Sequence, residues 1–283
     1  MKTTIHPKTT IDSVHLLVED LHGTADFYRS LIGFEVLEEK QDRVSFAVDG
    51  TSPLLTLEQT KAKDASRAQS AGLYHFAILV PDRVSLSLSL RHLIKNNYPL
   101  QGASDHGFSE AIYLQDPEGN GIEIYADRPK HLWQKDASGQ LTATTSRLDV
   151  EGLLKLSEDK VWSGLPTDTI IGHVHLHVSS IDDTEKFYVD GLGFDKMFTL
   201  GGNALFVSAG GYHHHIAMNV WGRHVAYKQE SSIGLKHFTI KLPDLQSFNT
   251  TIERVKHNAI TFEQLDQSIT LTDPSGIKVI VTT

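Results

Sequence analysis

The chain repeats its own sequence pattern, and this repetition restricts its fold more than any other feature. The segment 11–18 (IDSVHLLV) returns at 171–178 (IGHVHLHV). A second segment, 72–78 (GLYHFAI), returns at 234–240 (GLKHFTI). The pattern therefore divides the 283 residues into four modules, two in each half of the chain.

Each module is predicted to contain one strand, one helix and several further strands. The opening segments alternate apolar and polar residues, which is typical of half-buried strands. The segment after the second opening strand places four apolar residues on one helical face, namely Leu86, Leu90, Leu93 and Ile94. Modules 2 and 4 also share an Asp-Pro-x-Gly turn, at 116–119 and 273–276, before a last strand. The predicted fold class is α+β, with four βαβββ modules in two tandem domains that carry curved mixed sheets.

The module boundaries predict two domains and a connection. The first domain covers 1–130 with modules 1 and 2, and the second covers 170–283 with modules 3 and 4. The connecting segment, 131–169, is longer and more polar than a simple linker. We expect it to include a short helix and to pack Trp133 and Trp162 against the rest of the protein.

The composition and net charge argue against several classes of function. The net charge of −9 comes without a basic stripe, which argues against nucleic acid as a partner. No apolar run approaches the roughly 18 residues of a membrane helix, and no signal-peptide core is visible, so we expect a cytoplasmic protein. The absence of cysteine excludes disulfides, thiolate catalysis and cysteine-based zinc sites. Homo-oligomerisation is left open.

Strand alternation predicts which face of the sheet each histidine and one glutamate lie on. In 171–178, His173, His175 and His177 lie on the face opposite the apolar residues. Glu123 lies opposite Ile122 and Ile124 in the same way, and His75 and His237 oppose the apolar residues of their own strands. Histidine and carboxylate are ordinary ligands of divalent metals. Six further histidines are expected at the surface: His6, His22, His92, His131, His224 and His257.

The repeated βαβββ pattern resembles the vicinal oxygen chelate superfamily. This superfamily includes glyoxalase I, extradiol dioxygenases and the bleomycin- and fosfomycin-resistance proteins, and the pattern here is most similar to the bacterial catechol 2,3-dioxygenases. The resemblance covers nearly the whole chain. It implies that two modules together form a curved sheet whose concave face holds a divalent metal.

The resemblance also implies where the ligands fall. The first ligand position corresponds to Ser13 and His173, the second to His75 and His237, and the carboxylate to Glu123 and Ile280. Modules 1 and 2 therefore lack the first histidine, and modules 3 and 4 lack the carboxylate. Combining module 2 with module 3 gives the complete set His75, Glu123 and His173. We expect one metal site from these two modules, and a degenerate cavity from modules 1 and 4.

A second motif is similar to the extradiol dioxygenase signature. That signature contains a histidine, an apolar-Tyr pair, the Asp-Pro-x-Gly turn and the ligand glutamate, which correspond here to His106, Tyr113, 116–119 and Glu123. Ser104 departs from the usual residue at its first position. The resemblance implies that His106 and Tyr113 contact the substrate or bound oxygen. The alternative is that Tyr113 is a half-buried strand residue with a hydrogen-bonded hydroxyl.

The triplet His213-His214-His215 precedes what is predicted to be the last strand of module 3. In extradiol dioxygenases this strand supplies an acid–base histidine. Strand parity favours His215, whereas the extradiol pattern favours His214, and both stay open. His15, His175 and His177 have no expected ligand role and either line the pocket or meet solvent.

The expected function is metal-dependent ring cleavage of a catechol-type diol by an extradiol dioxygenase. Two histidines and one carboxylate leave positions open for a bidentate substrate and dioxygen, so Fe(II) is expected, with Mn(II) or another divalent metal next. The expected partners are a small aromatic substrate and dioxygen. Two alternatives remain, a glyoxalase-type lyase or isomerase, and a non-enzymatic small-molecule-binding protein.

Overall fold

Four copies of one strand–helix–strands unit are seen in the computed structural model, which describes residues 4–61, 70–137, 139–221, 226–230 and 232–283. Module 1 contains β1 (Thr10–Val18), α1 (Leu21–Phe27), a π-helical segment (Tyr28–Ile32), β2 (Glu35–Lys40), β3 (Arg43–Ala47) and β4 (Leu55–Gln59). Module 2 contains β5 (Gly72–Leu79), α2 (Arg83–Lys95), β6 (Gly102–Asp105), β7 (Ser109–Gln115) and β8 (Gly121–Asp127).

The second half repeats this order after the connecting segment. The connection contains a 3-10 turn (Lys130–Leu132), β9 (Ser146–Arg147) and α3 (Val150–Lys155). Module 3 contains β10 (Ile170–His177), α4 (Ile181–Glu185), a π-helical segment (Lys186–Gly191), β11 (Asp195–Leu200), β12 (Ala204–Ser208) and β13 (Ile216–Asn219). Module 4 contains β14 (Gly234–Lys241), α5 (Leu245–His257), β15 (Phe262–Leu265), β16 (Ser268–Thr272) and β17 (Lys278–Thr282).

The strands form two mixed sheets, which confirms the predicted fold class. The eight-stranded sheet has the order β15-β16-β17-β14-β1-β4-β3-β2, and the nine-stranded sheet has the order β11-β12-β13-β10-β5-β8-β7-β6-β9. Module 4 thus shares a sheet with module 1, and module 3 shares a sheet with module 2. This combination is the one that the ligand positions predicted. Within the modules, β5–β8, β10–β13 and β14–β17 are parallel pairs.

The chain also divides into two compact units. One comprises Met1–Leu17, Thr60–Tyr74 and Gly172–Thr283, and the other comprises Val18–Gln59 and His75–Ile171. The first unit holds most of modules 3 and 4 together with most of β1. The second holds the rest of module 1, most of module 2 and the connecting segment. The domain boundaries near residues 130 and 170 stay a prediction.

The helices begin at side-chain caps but differ in length. Asp82 and Asp244 each accept a backbone N–H at the start of α2 and α5, which both run for 13 residues. Asp20 and Ser180 cap α1 and α4 in the same way, yet these helices are short and widen into π-helical segments. The hydrophobic pattern did not predict that widening, because the residue periodicity of one turn is too short a signal to separate α from π.

Helix α2 also corrects one expectation. Leu86, Leu90 and Leu93 are buried, as their spacing predicts, but Ile94 is 47% exposed. On a helical projection Ile94 lies at the edge of the apolar face, because each residue turns the helix by about 100°. The buried face therefore ends at Leu93.

The connecting segment packs on its own unit, as expected. Helix α3 begins at the cap Asp149, whose side chain accepts the Gly152 N–H. Trp133 donates its Nε1–H to the Arg128 carbonyl at 2.7 Å. The ring of Trp162 stacks on His92, with centroids 3.5 Å apart and planes at 9°.

A buried aspartate closes the turn before the last strand in both even modules. Asp116 accepts the backbone N–H of Asn120 at 2.7 Å and the hydroxyl of Tyr28 at 2.9 Å. Asp273 accepts the N–H of Ile277 at 2.9 Å and the hydroxyl of Tyr188 at 3.3 Å. Each tyrosine opens or lies within the π-helical segment of the preceding odd module. The turn and that segment are therefore tied together through one side chain.

The longest described helices have 13 residues. No helix in the described ranges is long and apolar enough to cross a membrane. The cytoplasmic location stays a prediction.

Candidate metal centre

His75 and Glu123 project from neighbouring parallel strands. In the β5–β8 pair, Glu123 lies opposite Ala77, which is two residues after His75 and therefore on the same face. The Nε2 atom of His75 is 3.0 Å from Oε2 of Glu123. Both side chains are buried, with His75 7% and Glu123 3% exposed. Phe76, Ile122 and Ile124 are buried on the opposite face of the sheet. Because side chains alternate between the two faces along each strand, His75 and Glu123 lie together on the other face.

His173 lies on β10 and is 1% exposed. Its ring centroid is 4.1 Å from that of His214 and 6.0 Å from that of His213. Val174 and Leu176, which lie on the opposite face of β10, are fully buried. His173 is therefore held in a cluster of imidazoles, on the face that strand alternation predicted.

The three predicted ligands come together. Among the described residues, His75, Glu123 and His173 form a group in which one ligand atom from each lies within 4.8 Å of the others. Nε2 of His75 and Oε2 of Glu123 lie side by side at 3.0 Å. Two imidazole nitrogens and one carboxylate oxygen are also the donor set of non-haem Fe(II) sites. The residues present could hold a divalent metal.

His106 and Tyr113 form a hydrogen-bonded pair beside Glu123. The Nδ1 atom of His106 is 3.0 Å from the Thr144 carbonyl, and its Nε2 atom is 2.7 Å from the Tyr113 hydroxyl. A carbonyl only accepts, so Nδ1 carries the hydrogen and Nε2 accepts from the tyrosine. Tyr113 lies directly opposite Glu123 across β7 and β8, and its ring centroid is 5.8 Å from that of His75.

The histidine triplet lies before β13 begins, so strand parity does not apply to it. His214 contacts His173, and its Nδ1 atom is 2.8 Å from Nδ1 of His213. His215 instead directs Nδ1 to the Ala209 N–H at 3.2 Å and to the Ser208 hydroxyl at 3.0 Å. The geometry therefore brings His214, rather than His215, beside a predicted metal ligand.

The other sheet contains the degenerate positions. Ser13 pairs with Thr239 across β1 and β14, and Thr239 pairs with Ile280 across β14 and β17. His15 lies opposite His237, with ring centroids 4.8 Å apart. In the part of the chain that the structure describes, no group of three potential metal donors includes either histidine.

Sequence reasoning missed two residues that contact these histidines, Thr144 and Asn219. Thr144 acts through its carbonyl, which carries no side-chain signal. Asn219 is fully buried and bonds His175 and His177, at 2.9 Å and 2.8 Å. Its position in register with His177 could have indicated this contact once the parallel pairing of β10 with β13 was known.

The remaining histidines are at or near the surface. His22, His131 and His257 are exposed, and His6 and His92 are half-buried. His224 lies outside the described residues.

Sequence comparison decides the family. Residues 10–124 match the profile of the Glyoxalase/Bleomycin resistance protein/Dioxygenase superfamily, and this range includes His75 and Glu123. A Bacillus subtilis (strain 168) protein named catechol-2,3-dioxygenase is 44% identical over 275 residues, with 96% of each chain covered. The chain belongs to this superfamily.

Solved structures of low sequence identity share the superfamily fold. A putative dioxygenase from Bacillus subtilis superposes with a TM-score of 0.64 at 14% identity, covering 100% of this chain and 86% of that one. Glyoxalase I from Zea mays superposes with a TM-score of 0.57 at 14% identity, covering 97% and 92%. At these identities the likeness concerns the fold alone.

Proposed function

We propose that this protein is a metal-dependent extradiol dioxygenase that cleaves the ring of a catechol-type diol. One observation carries the proposal, the gathering of His75, Glu123 and His173 ligand atoms within 4.8 Å of one another. The catechol-2,3-dioxygenase that is 44% identical over nearly the whole chain supports the reaction class. Fe(II) is the metal we propose first, and Mn(II) second.

His75, Glu123 and His173 would hold the metal through two imidazole nitrogens and one carboxylate oxygen. When bound, such a metal supplies open coordination positions for the two diol oxygens and for dioxygen, together with a route for electrons between them. The chain itself contributes burial, because all three ligands are less than 10% exposed. Burial excludes bulk water and strengthens the electrostatic interactions of a bound diol.

Tyr113 and His106 would act on a substrate hydroxyl. The hydrogen of the Tyr113 hydroxyl is directed to Nε2 of His106, so its oxygen offers a lone pair to a diol hydroxyl near Glu123. A proton taken up by Tyr113 can be balanced by transfer of its own hydrogen to His106. The Thr144 carbonyl keeps His106 in the tautomer that accepts it.

His214 would be the acid–base residue beside the proposed ligand His173. Its ring lies 4.1 Å from His173, and its Nδ1 atom is hydrogen bonded to His213, which is fully buried. That bond fixes the ring orientation. His215 is engaged by Ser208 and the Ala209 backbone and supports the turn before β13.

The proposal is tested by turnover after anaerobic loading with Fe(II). Catechol is added under nitrogen, and air is then admitted. A yellow ring-cleaved product that forms only after air enters is the expected result. Metal content is measured on the same sample, so that an inactive preparation without metal is not taken for an inactive enzyme.

Two outcomes would replace the proposal. Turnover of a thiol–aldehyde adduct under nitrogen, without oxygen consumption, would identify a glyoxalase-type lyase or isomerase. Failure to bind stoichiometric Fe(II), Mn(II), Ni(II) or Zn(II) would instead indicate a small-molecule-binding protein without metal chemistry.

A further inference from the structure

The sheet that contains β1, β14 and β17 has one polar face. Val14, Phe238 and Val279 are at most 1% exposed and lie on its other face. Because side chains alternate between the two faces along each strand, the residues beside them share the opposite face. These residues are Ser13, His15, His237, Thr239, Lys278 and Ile280, and we call them the polar face.

Three nitrogen-bearing side chains are neighbours on the polar face. His15 pairs with His237 across β1 and β14, and His237 pairs with Lys278 across β14 and β17. The two imidazole centroids are 4.8 Å apart. Since neighbouring strands lie about 4.8 Å apart, the three side chains extend over roughly 10 Å, the length of a small organic molecule.

Water reaches the polar face. Ser13, His237, Lys278 and Ile280 are each half-buried, so this side of the sheet is not packed against other side chains along its whole length. The exposure of Ile280 contrasts with its neighbour on the other face, Val281, which is fully buried. A ligand lying on Ile280 would remove apolar surface from water, with a gain of free energy in proportion to the area covered.

Hydrogen-bond donors surround Ile280. It pairs with Thr239, which in turn pairs with Ser13, so two hydroxyls lie beside it in the sheet. His237 and Lys278 lie two residues earlier on the same strands. Ammonium, hydroxyl and imidazole N–H groups all donate hydrogen bonds, and the ammonium repels a cation. The polar face therefore suits an anion with a carbon chain better than it suits a metal.

A carboxylate of the chain itself already binds Lys278. Oε1 of Glu230 is 2.5 Å from Nζ of Lys278. The Glu230 side chain is 83% exposed and that of Lys278 is 42% exposed. An exposed ion pair of this kind contributes little to stability, because water screens it and both long side chains must be ordered. A ligand carboxylate with additional contacts can therefore take the place of Glu230.

We propose that the polar face is a second ligand site, which binds a small organic carboxylate. The acidic group binds Lys278 in place of Glu230, and the carbon chain lies on Ile280. The hydroxyls of Ser13 and Thr239 donate to further oxygen atoms of the ligand. This site goes beyond the proposed ring cleavage and does not depend on it.

The experiment measures binding of sorbate, an unsaturated six-carbon carboxylate, to the Fe(II)-loaded protein by calorimetry under nitrogen. The corresponding alcohol lacks the charge, and inorganic phosphate lacks the carbon chain. Both should bind at least about tenfold more weakly than sorbate. Lys278→Gln should weaken sorbate binding about tenfold, because it removes a charge-assisted hydrogen bond. Glu230→Gln should strengthen it about threefold, because it removes the competing carboxylate.

An ion pair elsewhere supplies matched controls. Nζ of Lys256 is 3.0 Å from Oε1 of Glu253 on α5, and both side chains are exposed. Lys256→Gln and Glu253→Gln make the same changes of charge as the two test variants, and each should leave the sorbate affinity unchanged. Circular dichroism and metal content verify that each variant is folded and loaded.

Four results would overturn the second site. They are the absence of sorbate binding, phosphate binding as tight as that of sorbate, equal weakening in Lys278→Gln and Lys256→Gln, and sorbate binding that persists in Lys278→Gln but is lost with a chelator. The last result would assign sorbate to the metal centre. Catechol turnover does not enter the measurement, so failure of the second site and failure of the proposed function remain distinguishable.

Discussion

His214 and His215 are neighbours in sequence but make different contacts. Parity assigns His215 to the open face of the sheet only if the strand already exists at that point, and β13 begins at Ile216. The triplet instead follows a turn, which frees His214 to contact His173 while His215 bonds the Ser208–Ala209 segment. The family resemblance implied an acid–base histidine here without choosing between the two, and the turn geometry supports His214 as the one we propose.

Replacing these two histidines separately should therefore have unequal effects. His214→Asn is expected to lower kcat by roughly 10²-fold or more, the usual contribution of a positioned acid–base group, without loss of bound Fe(II). His215→Asn should keep kcat within about tenfold, since its ring acts only through the turn. Steady-state rates and metal content are measured on both. A larger kcat loss in His215→Asn would exchange the two assignments.

At the scale of single elements, the Asp-Pro-x-Gly turn at 273–276 buries a carboxylate, and this burial changes its pKa. Burial raises the pKa of Asp273 to about 6, although the N–H groups of Ile277 and Ser275 and the Tyr188 hydroxyl oppose that rise. The same burial, with the nearby Asp273 charge, raises the pKa of Tyr188 well above its ordinary value. The folded protein therefore binds a proton at Asp273 more tightly than the unfolded chain does.

The sign of this pKa difference predicts how stability changes with pH. Because the pKa of Asp273 in the folded protein is higher than the ordinary aspartate value of 3.8, the stabilisation is complete below pH 4 and is lost as the pH rises through 6. The loss should amount to about 3 kcal/mol of unfolding free energy. Asp273→Asn should remove this decline, whereas Asp266→Asn, at an exposed hairpin turn, should keep it. Urea unfolding between pH 4 and pH 7 measures the difference, and parallel profiles for all three proteins would contradict it.

The junction between the first π-helical segment and the connecting segment offers a second test at this scale. Gly33 has φ 97°, and a Cβ there would lie 2.8 Å from Gly164 Cα and 2.9 Å from Leu165 N. Gly50 has φ 69° with open space around it. Gly50→Ala should cost about 1 kcal/mol from its left-handed backbone alone, and Gly33→Ala about 3 kcal/mol, because the connecting segment must also move. Equal losses in thermal or urea unfolding would show that this contact contributes little.

Periodicity predicted most elements but not their local deviations. The strands around His75, Glu123 and His173 followed from alternation, because burial of one sheet face imposes a period of two over several residues. The π-helical segments and the exposure of Ile94 did not follow, because they depend on how one helical turn packs. The contact between the Thr144 carbonyl and His106 could not be predicted either, because every residue carries a backbone carbonyl.

On the scale of the whole molecule, ligand chemistry predicted which modules share a sheet. Ile280 cannot bind a metal, and Ser13 is a poor ligand, so only modules 2 and 3 could supply a full set. The strand order β13-β10-β5-β8 agrees with that combination. The domain boundaries near residues 130 and 170 stay a prediction.

Metal binding by ligand variants tests the assignment of the site to these modules. His75→Ala and His173→Ala should each abolish stoichiometric Fe(II) binding, whereas His237→Ala should retain it. Metal at a thousand times its Kd should stabilise the protein by about 4 kcal/mol, and the first two variants should lose the matching rise in Tm. Elemental analysis and thermal unfolding with and without a chelator report both quantities. Retained metal in His173→Ala, or lost metal in His237→Ala, would place the site elsewhere.

The strand order also has a consequence for a half-length copy of this chain. Strands β1 and β5 are covered on one side by β14 and β10, which belong to the second half. A free first half would expose two strand edges, the kind of surface on which separate chains associate. In the full chain the partner strands belong to the same polypeptide, so their pairing is intramolecular. The effective concentration of the two halves is then set by the connecting segment rather than by the concentration of the protein.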